Sequence, residues 1–578
     1  KEPVMRSSWV IVSLLCCIVL VGVAGGAARV LPAPVQDAEE VDLIIRDARI
    51  WPGKDKSLNH KATAIAINKG KIVAIGDDAS IMKDYISTKY VFGQGQRLVP
   101  GFHDSHVHFM PAGVFLSQVD LKLCANEAEF GARLREYDQK LPKGRWLLGG
   151  NWDHDRTFAG VLPTAAMIDK YVSAERPVFL RRYDGHMALA NTHAMKLAGI
   201  TAASKDPNGG EIIRHPNSQE PTGALRDNAM NLVTGLLPAH DETAIVEGVR
   251  RAMDEARSVG VTSVDDMDGS GRSVRDKLWK HYQSLDARGE LTLRIRLFWP
   301  IRESAELASL IAREGKGTGL AQLGGVKGFM DGSLGSSTAK MFDSYVHEQG
   351  KTGVWVTPPQ VMLQQALAAD KAGLQVVVHA IGDEANARLL DIFSEVAGKN
   401  GQRDRRFRIE HAQHLRREDY SRFAQAGVLA SMQPYHVVDD GRWAEGRLGT
   451  ERCSSSYAYR SLLDNGAVLS FGSDWAVAPL NPMVGIDAAV NRRPLDGKYP
   501  NGWFPAQKIS VEEALHAYTA GAAYAMFAEK QRGTLAVGMD GDVVLLDRDI
   551  LDPQQRDEIG KATVKLTVVA GKVVYQKE

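Results

Sequence analysis

Cysteine is scarce in this chain. Four occur in 578 residues, and Cys16 and Cys17 lie inside one apolar run. Cys124 and Cys453 are left in the body, too few for a disulfide framework or a zinc knuckle, with a single bridge between them left open. No Asn-x-Ser/Thr sequon occurs. Neither sign of charge dominates, since Lys plus Arg and Asp plus Glu both number 70. That balance excludes the basic field a nucleic-acid binder needs. Aromatics are sparse at 7%, with no stacking platform of the RNA-binding kind. Long apolar runs are lacking with one exception, residues 9–24, which follow Arg6 and precede a small-residue and Pro-rich stretch. A positive start, an apolar core and small residues at its end predict a secretory signal at 1–30, or an uncleaved anchor of the same length. A linker at 31–40 follows. The expectation is a secretory-pathway, endomembrane or extracellular protein, touching membrane through this segment alone.

What is present suits a large globular enzyme. Hydrophobic residues make up 44% and charged residues 24%, and the length allows a barrel plus an accessory domain. Residues 41–50 and 64–75 alternate as strands around a Lys-Gly turn, and 542–546, 564–569 and 570–575 answer them at the far end. The two sets predict a small composite β-sandwich from 41–96 and 530–578. Between them, short apolar strands alternate with amphipathic helices, the rhythm of an α/β protein with a parallel barrel. Eight strands are read at 97–102, 261–264, 293–298, 325–329, 374–378, 406–409, 428–432 and 468–471. Eight closes a (β/α)8 TIM barrel, placed at 97–529, with a long insertion at about 110–255.

Chemistry-bearing residues gather where those strands end. In Gly101-Phe-His-Asp-Ser-His-Val-His108, His106 and His108 are two apart, so in extended chain both imidazoles point one way and can grip one ion. Lys327 lies in the fourth strand, His379 ends the fifth, His411 the sixth and Asp474 the eighth. Each alone has an ordinary role: a hydrogen-bonded histidine, a paired lysine, a helix-capping aspartate. All of them at the ends of successive barrel strands point to a metal site.

The motifs around these residues resemble the metal-dependent amidohydrolase superfamily. They are 101–108, Asp184-Gly-His-Met-Ala-Leu-Ala-Asn191, Pro221-Thr-Gly-Ala-Leu-Arg226, 325–336, His379-Ala-Ile-Gly-Asp383, Arg408-Ile-Glu-His-Ala-Gln413 and Gly472-Ser-Asp-Trp475. The pattern is similar to the YtcJ-like branch, which includes N-substituted formamide deformylases, and within it to plant-type members of the Long After Far-red group. The resemblance implies that His106, His108, His379 and His411 ligate metal. It implies that Lys327 is carbamylated and bridges two metals, or is a polar neighbour of one. Asp474 would contact the metal and serve as general base. Imidazole-rich ligation with a carboxylate suits zinc, one ion or two, with iron and manganese left open. The implied reaction is hydrolysis of a non-peptide carbon–nitrogen bond by metal-activated water.

The resemblance also places Asp184 and His186 near the pocket and makes Trp152, in Asn151-Trp-Asp-His154, a pocket wall. Gln433 and His436 close the seventh strand and face the same mouth. His103 departs from the pattern, standing where the family usually carries an apolar residue. The expected partner is a small amide-type substrate, with homo-oligomerisation left open. The rival readings are a non-catalytic scaffold on the same fold, in signalling or membrane-associated binding, and a membrane-tethered transport accessory.

Overall fold

The structure is a computed structural model that describes residues 38–53, 61–238, 242–267 and 272–577. The expected signal or anchor at 1–30, and most of the linker after it, lie outside the described residues. Among the described residues no helix is long and apolar enough to cross a membrane.

Eight parallel strands form the centre: β1 (Phe102–Val107), β2 (Val261–Asp266), β3 (Arg294–Pro300), β4 (Ala321–Phe329), β5 (Val376–Ala380), β6 (Arg408–His411), β7 (Leu429–Met432) and β8 (Leu469–Phe471). Each pairs in parallel with the next in sequence, as right-handed βα connections dictate. Helices pack around them over one large apolar core, making a (β/α)8 barrel. Its seam is closed by irregular backbone after β8 rather than by a strand ladder. The amide of Asp474 donates to the carbonyl of His106 (2.7 Å), and the amide of His108 donates to the carbonyl of Trp475 (2.7 Å).

The expected first barrel strand at 97–102 needs correction. Arg97–Pro100 belongs to the accessory domain, pairing with Val543–Leu546 and Arg49–Ile50. The chain crosses into the barrel at Gly101, where a Cβ would sit 2.3 Å from Oγ1 of Thr262. The barrel therefore starts at Phe102, five residues after the expected boundary.

The accessory domain stacks a four-stranded sheet on a five-stranded one. Period-two alternation decides its sides. Leu43, Ile45, Ile65 and Ile67 meet Leu98, Val543, Leu545 and Leu566 between the sheets. The intervening Ile44, Ala64 and Ala66 turn outward against Ile81 of the helix Asp78–Asp84. Two hairpins turn at Lys69-Gly70 and Ala570-Gly571, with positive φ at both positions of each, as tight type I′ turns require.

The insertion is narrower than 110–255. Its six-stranded mixed sheet runs from Val119–Asp120 to Pro221–Asp227. Helix Glu242–Ser258 then returns to the barrel, burying Ile245, Val249, Ala252 and Ala256 in the main core, a stripe of helical period. It lies against helix Phe109–Phe115 so closely that a Cβ on Gly113 would meet the carbonyl of Gly248 at 1.9 Å. Cys124 and Cys453 are both buried and free.

Candidate metal centre

The site is assembled where β1, β4, β5, β6 and β8 end. His106 is fully buried in β1. Its Nδ1 lies 2.6 Å from Oε2 of Glu410, and Glu410 is paired at its other oxygen with Nε of Arg408 (2.7 Å). A carboxylate so paired only accepts, so Nδ1 of His106 donates and its Nε2 lone pair faces the site. Arg408 is itself pinned by Asp265 and by the carbonyl of Ser105. Ser431 donates to Glu410 at 2.8 Å.

Ligand atoms of His106, His411 and Asp474 all lie within 4.8 Å of one another. Oδ1 of Asp474 stands 3.3 Å from Nε2 of His108 and 3.6 Å from Nε2 of His106, yet is hydrogen-bonded to neither. Nδ1 of His411 also has no partner. Buried acceptors are normally paired; these two, converging with Nε2 of His106, which meets Nζ of Lys327 at 3.1 Å, form a cradle for a cation. Burial pushes the Asp474 carboxyl up, but the imidazoles of His106 and His108 outweigh it and hold it well below the usual range. Burial pushes His411 well down, and the neighbouring His379 and His106 add to that, so it is neutral and can give a lone pair. His411 (φ 74°) and Asp474 (φ 61°) both adopt the left-handed region. Such strain, about 1–3 kcal/mol each, is a common feature of functional sites.

Lys327 places Nζ 3.1 Å from Nε2 of His106. Burial lowers its amine to about 8, against the opposing pull of Glu410 and Asp474. His379 stands outside the three-residue cluster. Its ring is 4.5 Å from that of His411, but its Nε2 bonds the carbonyl of Gly332 (3.0 Å), which leaves Nδ1 as its ligand atom. His108 caps the helix after β1 and is the most exposed of the group, at 29%.

Above this centre lies a cavity of about 420 Å³, walled by Arg182, Tyr183, Asp184 and His186 of the insertion and by His379, His411, His436 and Asp474 of the barrel. Asp184 pairs with Arg182 (2.8 Å) and accepts from Ser333 and Ser336 (2.5 and 2.9 Å). His186 is braced by Asp227 at 2.7 Å. Burial would lower the His186 imidazole, but the bond and charge of Asp227 hold it above its ordinary value.

Two expected pocket residues lie elsewhere. Trp152 is fully buried in the core of the insertion, among Phe130, Leu134 and Leu180, with Nε1 donating to the carbonyl of Leu180 (2.8 Å). A large ring on a strand packed beneath a helix goes inward, and its N–H finds a backbone partner there. Gln433 is buried behind the wall, donating to the carbonyl of Ser431 (3.3 Å), whereas His436 does line the cavity.

Glu410, Asp331, Asp227, Arg182 and Gln413 were not singled out in the sequence. Glu410, Asp331 and Gln413 lie inside motifs quoted for their neighbours. Choosing residues at the extreme end of each strand passes over Glu410, one residue earlier. Asp331 accepts from the amides of Lys340, Ile381 and Gly382 (2.8, 3.0 and 2.8 Å), so it fixes the turn after His379. Burial raises its carboxyl to about 7. Gln413 reaches His436 at 3.1 Å and lines the cavity.

Known proteins share this fold. Residues 94–575 match the model of the amidohydrolase family, and the chain belongs to that family. The chain is similar to Protein LONG AFTER FAR-RED 3 of Arabidopsis thaliana, 40% identical with 92% of this chain and 91% of that protein covered. The putative amidohydrolase YtcJ of Bacillus subtilis is 30% identical, covering 89% and 96%. The N-substituted formamide deformylase of Arthrobacter pascens is 25% identical, covering 90% and 96%. Among solved structures, an uncharacterized metal-dependent hydrolase from Pyrococcus horikoshii superposes with a TM-score of 0.69 at 27% identity, over 88% of this chain and 98% of that one. The chain is thus a hydrolase of the amidohydrolase superfamily.

Proposed function

We propose that this protein hydrolyses a non-peptide carbon–nitrogen bond of a small amide-type molecule, with N-substituted formamides as one candidate class, using water activated at a site for one or two zinc ions. The observation that carries this reading is the convergence of His106, His411 and Asp474, with Nδ1 of His411 and Oδ1 of Asp474 occupied by no protein donor. Imidazole nitrogens with a carboxylate oxygen are a donor set that fits zinc. His108 and His379 would join that set, and Lys327 would bridge as a carbamate or stand beside it as an amine. When bound, the metal would acidify water and polarise a carbonyl oxygen.

The protein's own groups do the rest. Asp474 takes the proton of the attacking water at its free Oδ1, then gives it to the departing nitrogen. Glu410 holds His106 in the tautomer that turns Nε2 to the site. His186, braced by Asp227, and His436, braced by Gln413, both face the cavity and orient the substrate. The relative named for deformylation of N-substituted formamides supports the choice of bond.

The test is metal analysis of the purified protein, followed by a screen against amide and ester libraries with Asp474→Asn as control. One or two equivalents of transition metal and turnover of an amide, absent in the variant, are expected. Folded protein that takes up no metal and turns over nothing would refute the reading and restore the scaffold alternative.

A further inference from the structure

Polar groups also collect at the opposite end of the barrel. The register of β1, β2 and β3 sets His103 beside Ser263 and Ser263 beside Arg294. Paired residues of neighbouring strands share a face, so these three side chains form one row. One step on, Asp265 is in register with Arg296, and their charged ends are 3.3 Å apart. His103, Ser263 and Arg296 are all more than nine-tenths buried, as is Arg532, which arrives from the C-terminal segment on its way to the accessory domain.

A cavity of about 240 Å³ lies here, walled by Ser263, Arg294, Arg296, Gln322 and Arg532 among others. Three of its wall residues are arginines and none is a carboxylate. The carboxylates nearby are engaged at other edges of those guanidiniums: Asp542 with Nε of Arg294 (2.9 Å), and Asp540 with Nη2 of Arg294 (3.1 Å) and Nη1 of Arg532 (2.9 Å). What remains is an excess of donors. Nε of Arg532 and Oγ of Ser263 have no hydrogen-bond partner, and neither ring nitrogen of His103 has one; Nη1 of Arg296 faces Oδ1 of Asp265 at 3.3 Å without a hydrogen bond. Burial, then the charges of Arg532 and Arg294, push His103 well below its ordinary value, so it adds no third kind of charge. Buried donors left unmet are costly and rare. The cavity has room for about one water-sized group.

We propose that this cavity binds a small inorganic anion of halide size, held by the free Nε–H of Arg532 and the hydroxyl of Ser263 beside the charges of Arg294 and Arg296. The anion would tie the C-terminal segment to β2 and β3 at the barrel floor, far from the metal centre. It requires no catalytic step.

The test uses the full-length protein with its metal. Thermal unfolding is followed as chloride replaces gluconate at constant ionic strength, and crystals soaked in bromide are examined by anomalous diffraction. The expected result is a saturable rise in Tm of about 2–4 °C, with a bromide peak between Ser263, Arg296 and Arg532. Ser263→Val should raise the chloride midpoint at least tenfold, and Arg532→Met should abolish the response. A Tm that is the same in gluconate, an anomalous map showing only water in the cavity, or an unchanged midpoint in both variants would overturn the proposal.

Discussion

The two ends of this barrel both bury polar side chains, and the candidate sites there leave different atoms unpaired. At the C-terminal ends of the strands Oδ1 of Asp474 and Nδ1 of His411, both acceptors, have no donor. At the other end Nε of Arg532 and Oγ of Ser263, both donors, have no acceptor. Between them Arg408 joins Asp265 to Glu410. An ion pair deep in a protein is tolerated when its partners are complete. Where it is incomplete, the kind of leftover atom is what the two proposals rest on: acceptors for a cation above, donors for an anion below. The middle network isolates the two.

Four experiments would break or sharpen this contrast. Removing metal with a chelator should abolish turnover, and adding zinc back should restore it, while leaving the chloride dependence of Tm intact. A loss of both responses together would join the two ends. Asp474→Asn should keep its metal by elemental analysis and lose kcat by about 10²–10⁴-fold. Wild-type rates in that variant would move the general base elsewhere. Arg408→Met removes the cation between two buried carboxylates, and urea unfolding should show a loss of about 3–5 kcal/mol. A loss below 1 kcal/mol would mean the ends are not separated by this network. Glu410→Gln keeps the shape but weakens the hold on His106, so metal affinity, read by competition with a chromophoric chelator, should fall about 10–100-fold. Unchanged affinity would show that His106 needs no second partner.

The comparison also separates what could be read from sequence. Seven of the expected barrel strands overlap observed ones, because buried parallel strands are short apolar runs between amphipathic helices. The first was misplaced because 97–100 is equally apolar and pairs with a segment more than 440 residues away, which no local pattern encodes. The true first strand, Phe-His-Asp-Ser-His-Val, is polar in four of six positions and does not look like a core strand. Trp152 was misjudged for the opposite reason. A tryptophan beside polar residues suits a pocket or a core equally, and only the packing of Phe130, Leu134 and Leu180 around it decides.

The sequence by itself determined the chemistry available: histidines, one lysine and one aspartate at the ends of strands, with a hairpin chemistry of Lys-Gly and Ala-Gly turns at both termini. These follow from local periodicity and from residue type, which act over a few positions. Only the tertiary structure decided which of those groups meet. It brought Asp474 against β1 through the seam, turned His379 toward Gly332, set Glu410 behind His106, and left His103 beside arginines that approach from two separate segments. Those outcomes depend on contacts between residues hundreds of positions apart, fixed by barrel closure rather than by any nearby sequence.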